Sequence, residues 1–257
     1  MIVIMCDDLG YADVGFNGCK DIPTPNIDSI AKNGVRCSNG YVPYAVCGPS
    51  RAGFITARYP QRFGFERNPQ YQPFDPNMGL TREEKTIAEL LKPSGYHSGI
   101  IGKWHLGAHI PTGHPMKRGF DEFYGHLGGG HVYFPEKLTI QRSQDAKGEA
   151  ESYRTWLMKN YEPVPPRKYI TDDFSDEAVS FVDRNRDWPF FLFLSYNAPH
   201  TPLQASDKYL KRFSKIRDLR RRTYAAMVSA VDDGVGRVLE EVRRHNLEES
   251  TIIAFLS

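Results

Sequence analysis

The sequence predicts an α/β fold with a mostly parallel central sheet flanked by helices, and two observations predict it. Short runs of uninterrupted apolar residues recur along the chain, and between them lie stretches whose apolar positions keep helical spacing. A strand buried on both faces reads as a continuous apolar run, which marks a parallel sheet covered by helices. The chain has 257 residues, 40% hydrophobic and 25% charged, enough to bury one sizeable core and without a bias towards disorder. No internal repeat is visible.

The first element is Ile2-Val3-Ile4-Met5-Cys6, a buried strand that runs into Asp7-Asp8-Leu9-Gly10. Open α/β sheets bind ligands at the carboxyl ends of their strands, which is where this acidic pair falls. Neighbouring residues on a strand face opposite ways, but where the chain turns both carboxylates can reach one cation, and hard oxygens suit Ca²⁺ or Mg²⁺. The competing reading is a loop or helix cap.

Next comes Cys47-Gly48-Pro49-Ser50-Arg51. Proline in the first turn of a helix loses no hydrogen bond, so Cys47 is placed at a helix mouth. Arg51 follows one turn later on the same face. Backbone N–H groups, the positive end of the helix dipole and a forked guanidinium together favour a tetrahedral oxyanion. Taken alone, the motif reads equally as a buried cysteine beside a surface arginine.

A short helix is expected over Thr86 to Leu91. The segment Tyr96 to His105 reads as a strand entering a loop, with Lys103 and His105 sharing a face if the chain stays extended. Gly128-Gly129-Gly130-His131 offers His131 as a candidate ligand contact, or as a plain turn residue. The polar stretch 135–168 is expected to be a long excursion that shapes substrate choice. Asp172 to Arg184 reads as a helix with Thr171 as its N-cap.

The apolar run Pro189 to Ser195 is another buried strand, delivering Asn197 and His200 at its carboxyl end. Helical spacing returns from Tyr224 to Val242. On that helix Asp232-Asp233 reads as structural, and the basic run Lys211 to Arg222 as a solvated face, because a formal net charge of +2 argues against nucleic-acid binding. Trp104, Tyr133 and Phe134 are either sugar-stacking or core residues. Cys6, Cys19, Cys37 and Cys47 lack metal-finger spacing, and no transmembrane stretch or targeting segment is visible.

Taken in order, these segments resemble the type I sulfatases of the alkaline-phosphatase-like superfamily. The resemblance rests on Cys6 to Asp13, Thr24 to Asp28, the Cys47 signature, Thr56 to Pro60 and Gly102 to Gly107. It continues through Gly119 to Gly125, Ala198-Pro199-His200 and Asp232 to Gly236. It implies an alkaline-phosphatase-like sandwich and a sulfuric ester hydrolase acting on an aryl or carbohydrate sulfate. Cys47 is then the residue that a formylglycine-generating enzyme oxidises to Cα-formylglycine, whose hydrated diol attacks sulfur.

The resemblance further implies Ca²⁺, rather than Mg²⁺, held by Asp7, Asp8 and the modified Cys47. Catalytic roles fall to Arg51, Lys103, His105 and His200; Asn197 and His131, read from their positions and not from the family, are expected as substrate contacts. Members of such a family work in the periplasm, outside cells or in lysosomes. In the family an Asp-Asn metal pair, a lysine and a small C-terminal domain follow the strand at Ile252 to Ser257. The expectation is therefore an N-terminal catalytic domain over 1–257, truncated before the last metal ligands. Two other functions fit the same residues: a phosphonate or phosphodiester hydrolase, and an inactive anion- or glycan-binding fragment.

Overall fold

The computed structural model describes residues 1–257. Its strands are β1 (Ile2–Asp7), β2 (His97–Lys103), β3 (Glu122–His126), β4 (Leu157–Lys159), β5 (Glu162–Val164), β6 (Phe190–Pro199) and β7 (Ile253–Leu256). They form one seven-stranded sheet in the order β5-β4-β3-β2-β6-β1-β7. From β3 to β7 every pairing is parallel, while β4 and β5 join antiparallel at one edge. The helices are α1 (Pro25–Asn33), α2 (Cys47–Thr56), α3 (Ile87–Leu91), α4 (Ile110–Gly113), α5 (Glu149–Ser152), α6 (Ile170–Asn185), α7 (Asp207–Leu210) and α8 (Leu219–Arg244).

The two-residue alternation of the strands divides the apolar runs between two cores. Ile2, Ile4 and Cys6 of β1 join Phe174 and Phe181 of α6 and Val231 and Val235 of α8 on one face. Val3 and Met5 join Ala52 and Ile55 of α2 and Ala88 of α3 on the other. Each large side chain buried in this way contributes roughly 1.5–3 kcal/mol. This sandwich of helices around a mostly parallel sheet is the alkaline-phosphatase-like architecture.

Several boundaries differ from the sequence expectation for physical reasons. Strand β6 continues past Ser195 to Pro199, because a register shift between Met5 and Asp7 re-pairs β1 with it at Asp7 and Pro199. Helix α6 starts at Ile170 behind an extended Tyr169, so Thr171 lies inside the first turn and is not the N-cap. Helix α8 starts at Leu219, earlier than its apolar periodicity, because the Asp218 side chain accepts from Arg221 N at 2.7 Å. The excursion 135–168 is more than a loop, since it supplies α5, β4 and β5.

The acidic pair on α8 does structural work. Asp232 accepts hydrogen bonds from Asn26 N at 3.0 Å, Ile27 N at 2.9 Å and Asn26 Nδ2 at 2.8 Å, holding the first turn of α1. Asp233 pairs with Arg212 at 2.7 Å. In the basic run Arg221 is likewise neutralised, by Asp13 at 2.7 Å and Asp21 at 2.8 Å. No helix is long and apolar enough to cross a membrane.

Candidate active site

The neighbouring strands β2, β6 and β1 lie side by side and deliver Lys103, Ser195 and Asp7 to one rim, beyond which β6 runs on to Pro199. Just before Lys103 the strands meet backbone to backbone. Gly102 has φ 112°, and a Cβ there would stand 1.9 Å from the Ser195 carbonyl oxygen. Helix α2 points its first turn at this rim, and Asp8, His105 and His200 come from the loops that leave the strands.

Asp7, Arg51 and Lys103 form the buried centre. Lys103, fully buried, donates through Nζ to Asp7 Oδ2, and Arg51 Nη2 lies 3.4 Å from Asp7 Oδ1. Burial pushes the Asp7 carboxyl up, but the Lys103 ammonium and then the Arg51 guanidinium outweigh it and hold it at about 2. Arg51 Nη1 also donates to Lys103 O at 3.1 Å and to Ser195 Oγ, while Ser195 Oγ donates to Lys103 O at 2.7 Å. Ser195, read from sequence only as the end of an apolar strand, thus ties the Arg51 guanidinium to the Lys103 backbone. Arg51 Nε and Nη2 make no hydrogen bond. One buried carboxylate faces two buried cations, which leaves positive charge for an incoming anion.

Cys47 opens α2 with Pro49 in the first turn, as its sequence predicts. No side chain of the preceding residues caps the helix; instead Asn68 Oδ1 accepts from Gly48 N at 2.8 Å and lies 3.5 Å from Cys47 Sγ. Lys103 and His105 reach the site differently from the extended alternation expected, because β2 ends at Lys103 and His105 turns with φ 57°. His105 is buried with an unpartnered Nδ1, and burial followed by the charges of Lys103 and Arg51 holds its imidazole well below the usual range. Asp8 also turns, with φ 63°, and its carboxylate lies 3.7 Å from His200 Nε2. His200 Nδ1 lies 2.6 Å from Thr201 O, which leaves Nε2 as the atom facing the cleft side.

The cleft over these residues has a volume of about 510 Å³ and is lined among others by Cys47, Asn68, His105, Glu149, Tyr153 and His200. Two expected contacts do not line it. His131 is fully buried, with Nδ1 and Nε2 each 2.8 Å from the carbonyl oxygens of Val132 and Thr155, and burial lowers it to about 4. The Asn197 side chain is buried, with Oδ1 and Nδ2 unpartnered. Trp104 and Tyr133 belong to the core: the indole donates to Gly113 O at 2.8 Å, and the phenol to Asn197 O and His200 O at 2.9 and 2.7 Å. Phe134 packs on Tyr169 with ring centroids 5.4 Å apart. Asn68, Glu149 and Tyr153 escaped the sequence reading because they stand on irregular segments or a single helical turn, where no periodicity or motif marks them.

A sheet rim with buried cations behind a helix mouth makes this an α/β domain suited to hold an anion, and the family profile described as Sulfatase matches residues 1–257. The chain belongs to the sulfatase family. It is 34% identical to N-acetylgalactosamine-6-sulfatase of Mus musculus, covering 100% of this chain and 49% of that protein. It is 32% identical to the uncharacterized sulfatase YdeN of Escherichia coli K12, covering 100% of this chain and 51% of the relative. Among solved structures it is similar to Ps i-CgsB in complex with k-i-k-neocarrahexaose, with 48% identity and a TM-score of 0.92 over 99% of this chain and 57% of that one. The chain therefore spans about half the length of the curated relatives it matches.

Proposed function

We propose that this chain carries the sulfate-ester-cleaving centre of a sulfated-glycan sulfatase, with Cys47 as the residue converted to Cα-formylglycine by a modifying enzyme. The observation that carries the reading is the pair of buried cations, Arg51 and Lys103, sharing Asp7 behind the helix that Cys47 opens. The 48% identity to a structure whose bound ligand is a neocarrahexaose supports a sulfated galactan as substrate. A polymer of that kind is met outside the cytoplasm, in the periplasm or the extracellular space.

The chemistry balances on these residues. Water adds to the aldehyde to give a gem-diol, one hydroxyl gives its proton to water in the cleft, and the oxygen so formed attacks sulfur while the S–O bond to the sugar breaks. His200 would give the departing oxygen its proton through Nε2. Neutral His105 then accepts the proton of the second hydroxyl, the carbonyl re-forms and sulfate leaves. Lys103 and Arg51 offset charge on the sulfuryl oxygens throughout. Asp7 and Asp8 offer hard carboxylate oxygens at one strand end, a donor set that fits Ca²⁺ better than a soft metal. Bound there with the modified Cys47, Ca²⁺ would add positive charge where the nucleophile forms.

The test is the mass of the Cys47 peptide after expression with a formylglycine-generating enzyme, together with sulfate release from carrageenan oligosaccharides. Conversion at Cys47, and sulfate release abolished in Cys47→Ala, are expected. An unmodified cysteine beside a competent modifying enzyme would overturn the catalytic reading.

A further inference from the structure

The glycine triplet Gly128-Gly129-Gly130 lies beneath the turn that begins with α5. A Cβ on Gly128 would stand 2.6 Å from Ser152 Oγ, and one on Gly130 would stand 2.4 Å from Tyr153 Cζ. On Gly129 it would meet Glu149 Oε1 at 2.6 Å and His105 Nε2 at 2.7 Å. Bare backbone therefore lets the excursion dock flush against the rim, with Glu149 Oε1 and the His105 ring both lying against Gly129. Glu149 is exposed as a residue, and its Oε1 accepts from Gly129 N at 3.0 Å. Desolvation by the packed neighbours raises the carboxyl above its ordinary range, against the N–H of Gly129 and the charges of Lys103 and His200.

A carboxylate is an odd lining for a cleft that takes anions, and its oddness is informative. Oε1 is committed to Gly129 N, which leaves Oε2 as an acceptor in the same cleft as Cys47 and His200. An ionised oxygen accepts a hydroxyl proton well and repels a second sulfate. Tyr153 closes the wall beside it, its ring edge-on to that of His200 with centroids 6.5 Å apart.

We propose that Glu149 is a specificity-determining residue, accepting a hydroxyl of the sugar ring next to the sulfate and rejecting a ring that carries a second sulfate there. This rests on the sulfated-glycan reading above. A charge-assisted hydrogen bond of this kind is lost with a drop of about tenfold or more in affinity.

The test is calorimetric titration of the 257-residue chain and of Glu149→Gln, in buffer containing Ca²⁺, with three probes: inorganic sulfate, methyl β-galactoside 4-sulfate and its 3,4-disulfate. The expected result is that the wild-type chain prefers the monosulfate to the disulfate. Glu149→Gln should weaken the monosulfate about tenfold, narrow that preference and leave inorganic sulfate within about twofold. Unchanged sugar binding in Glu149→Gln overturns the proposal, and so does an equal loss of inorganic sulfate, which would make the residue merely structural. A wild-type chain that binds inorganic sulfate but neither sugar also overturns it while sparing the anion site. Failure to bind inorganic sulfate at all sinks the anion-site reading and the proposal together.

Discussion

Asp7 and Asp232 are carboxylates with similar exposure, 5% and 3%, in opposite surroundings. Asp232 is held by N–H donors of α1; burial raises it, and those hydrogen bonds only partly offset the rise. Asp7 is held by two buried cations that pull it far down, and its neighbours Arg51, His105 and Asn197 keep polar atoms without partners. Evolution normally satisfies buried polar groups, so a cluster of unsatisfied ones around a charged centre marks a place kept for a ligand. The α1–α8 junction shows the same chemistry used up on architecture.

The largest way to break this comparison is Lys103→Met. It leaves Asp7 buried beside Arg51 alone, and a loss of about 3–5 kcal/mol in urea unfolding is expected. A loss below about 1 kcal/mol would show that Asp7 relaxes into water and that the rim stores no such tension.

His114 extends the comparison to a buried base away from the rim. Its Nδ1 accepts from Met116 N at 3.3 Å, its ring lies edge-on to Phe123, and burial lowers it from 6.5 to about 4. A folded value below the unfolded one means that its contribution is complete above about pH 6.5 and is lost as pH falls towards about 4. The contribution is of order 3 kcal/mol. Unfolding free energy measured across that window should fall in the wild-type chain, and His114→Gln should flatten the fall. Equal slopes would remove His114 as the cause.

The smallest effect is Asp232→Ala. Losing the acceptor for the first turn of α1 should cost about 2 kcal/mol in thermal or chemical unfolding. Titration with inorganic sulfate should be unaltered; a weakened site would mean that the two carboxylates are coupled and the contrast between them is false.

Much of this was legible in the chain itself. The unbroken apolar runs of β1 and β6 announced a covered parallel sheet, and strand ends rich in Asp, Lys and His announced the rim. Cys47 and Arg51 were placed by proline geometry and helical spacing. What escaped was whatever tertiary contact decides. Asn68 caps α2 from a distant irregular segment, and Glu149 arrives on one helical turn. His131 looked like a loop residue among glycines, yet those glycines lie under the α5 turn and the imidazole is buried between two carbonyls. Thr171 had the chemistry of a cap, but the chain begins its helix one residue before it.

The triplet at 128–130 also separates two kinds of reading within one cleft. Strand ends and the first turns of α2 hold the charged floor of Asp7, Arg51 and Lys103, whereas the excursion 135–168 brings Glu149 and Tyr153 to the wall. A glycine track imposes no side-chain shape on what rests against it, so a different excursion can be seated there without disturbing Asp7, Arg51 or Lys103. The cleft is thus a socket with a fixed floor and an exchangeable wall, whose outline can change with a single surface segment while the floor stays as it is.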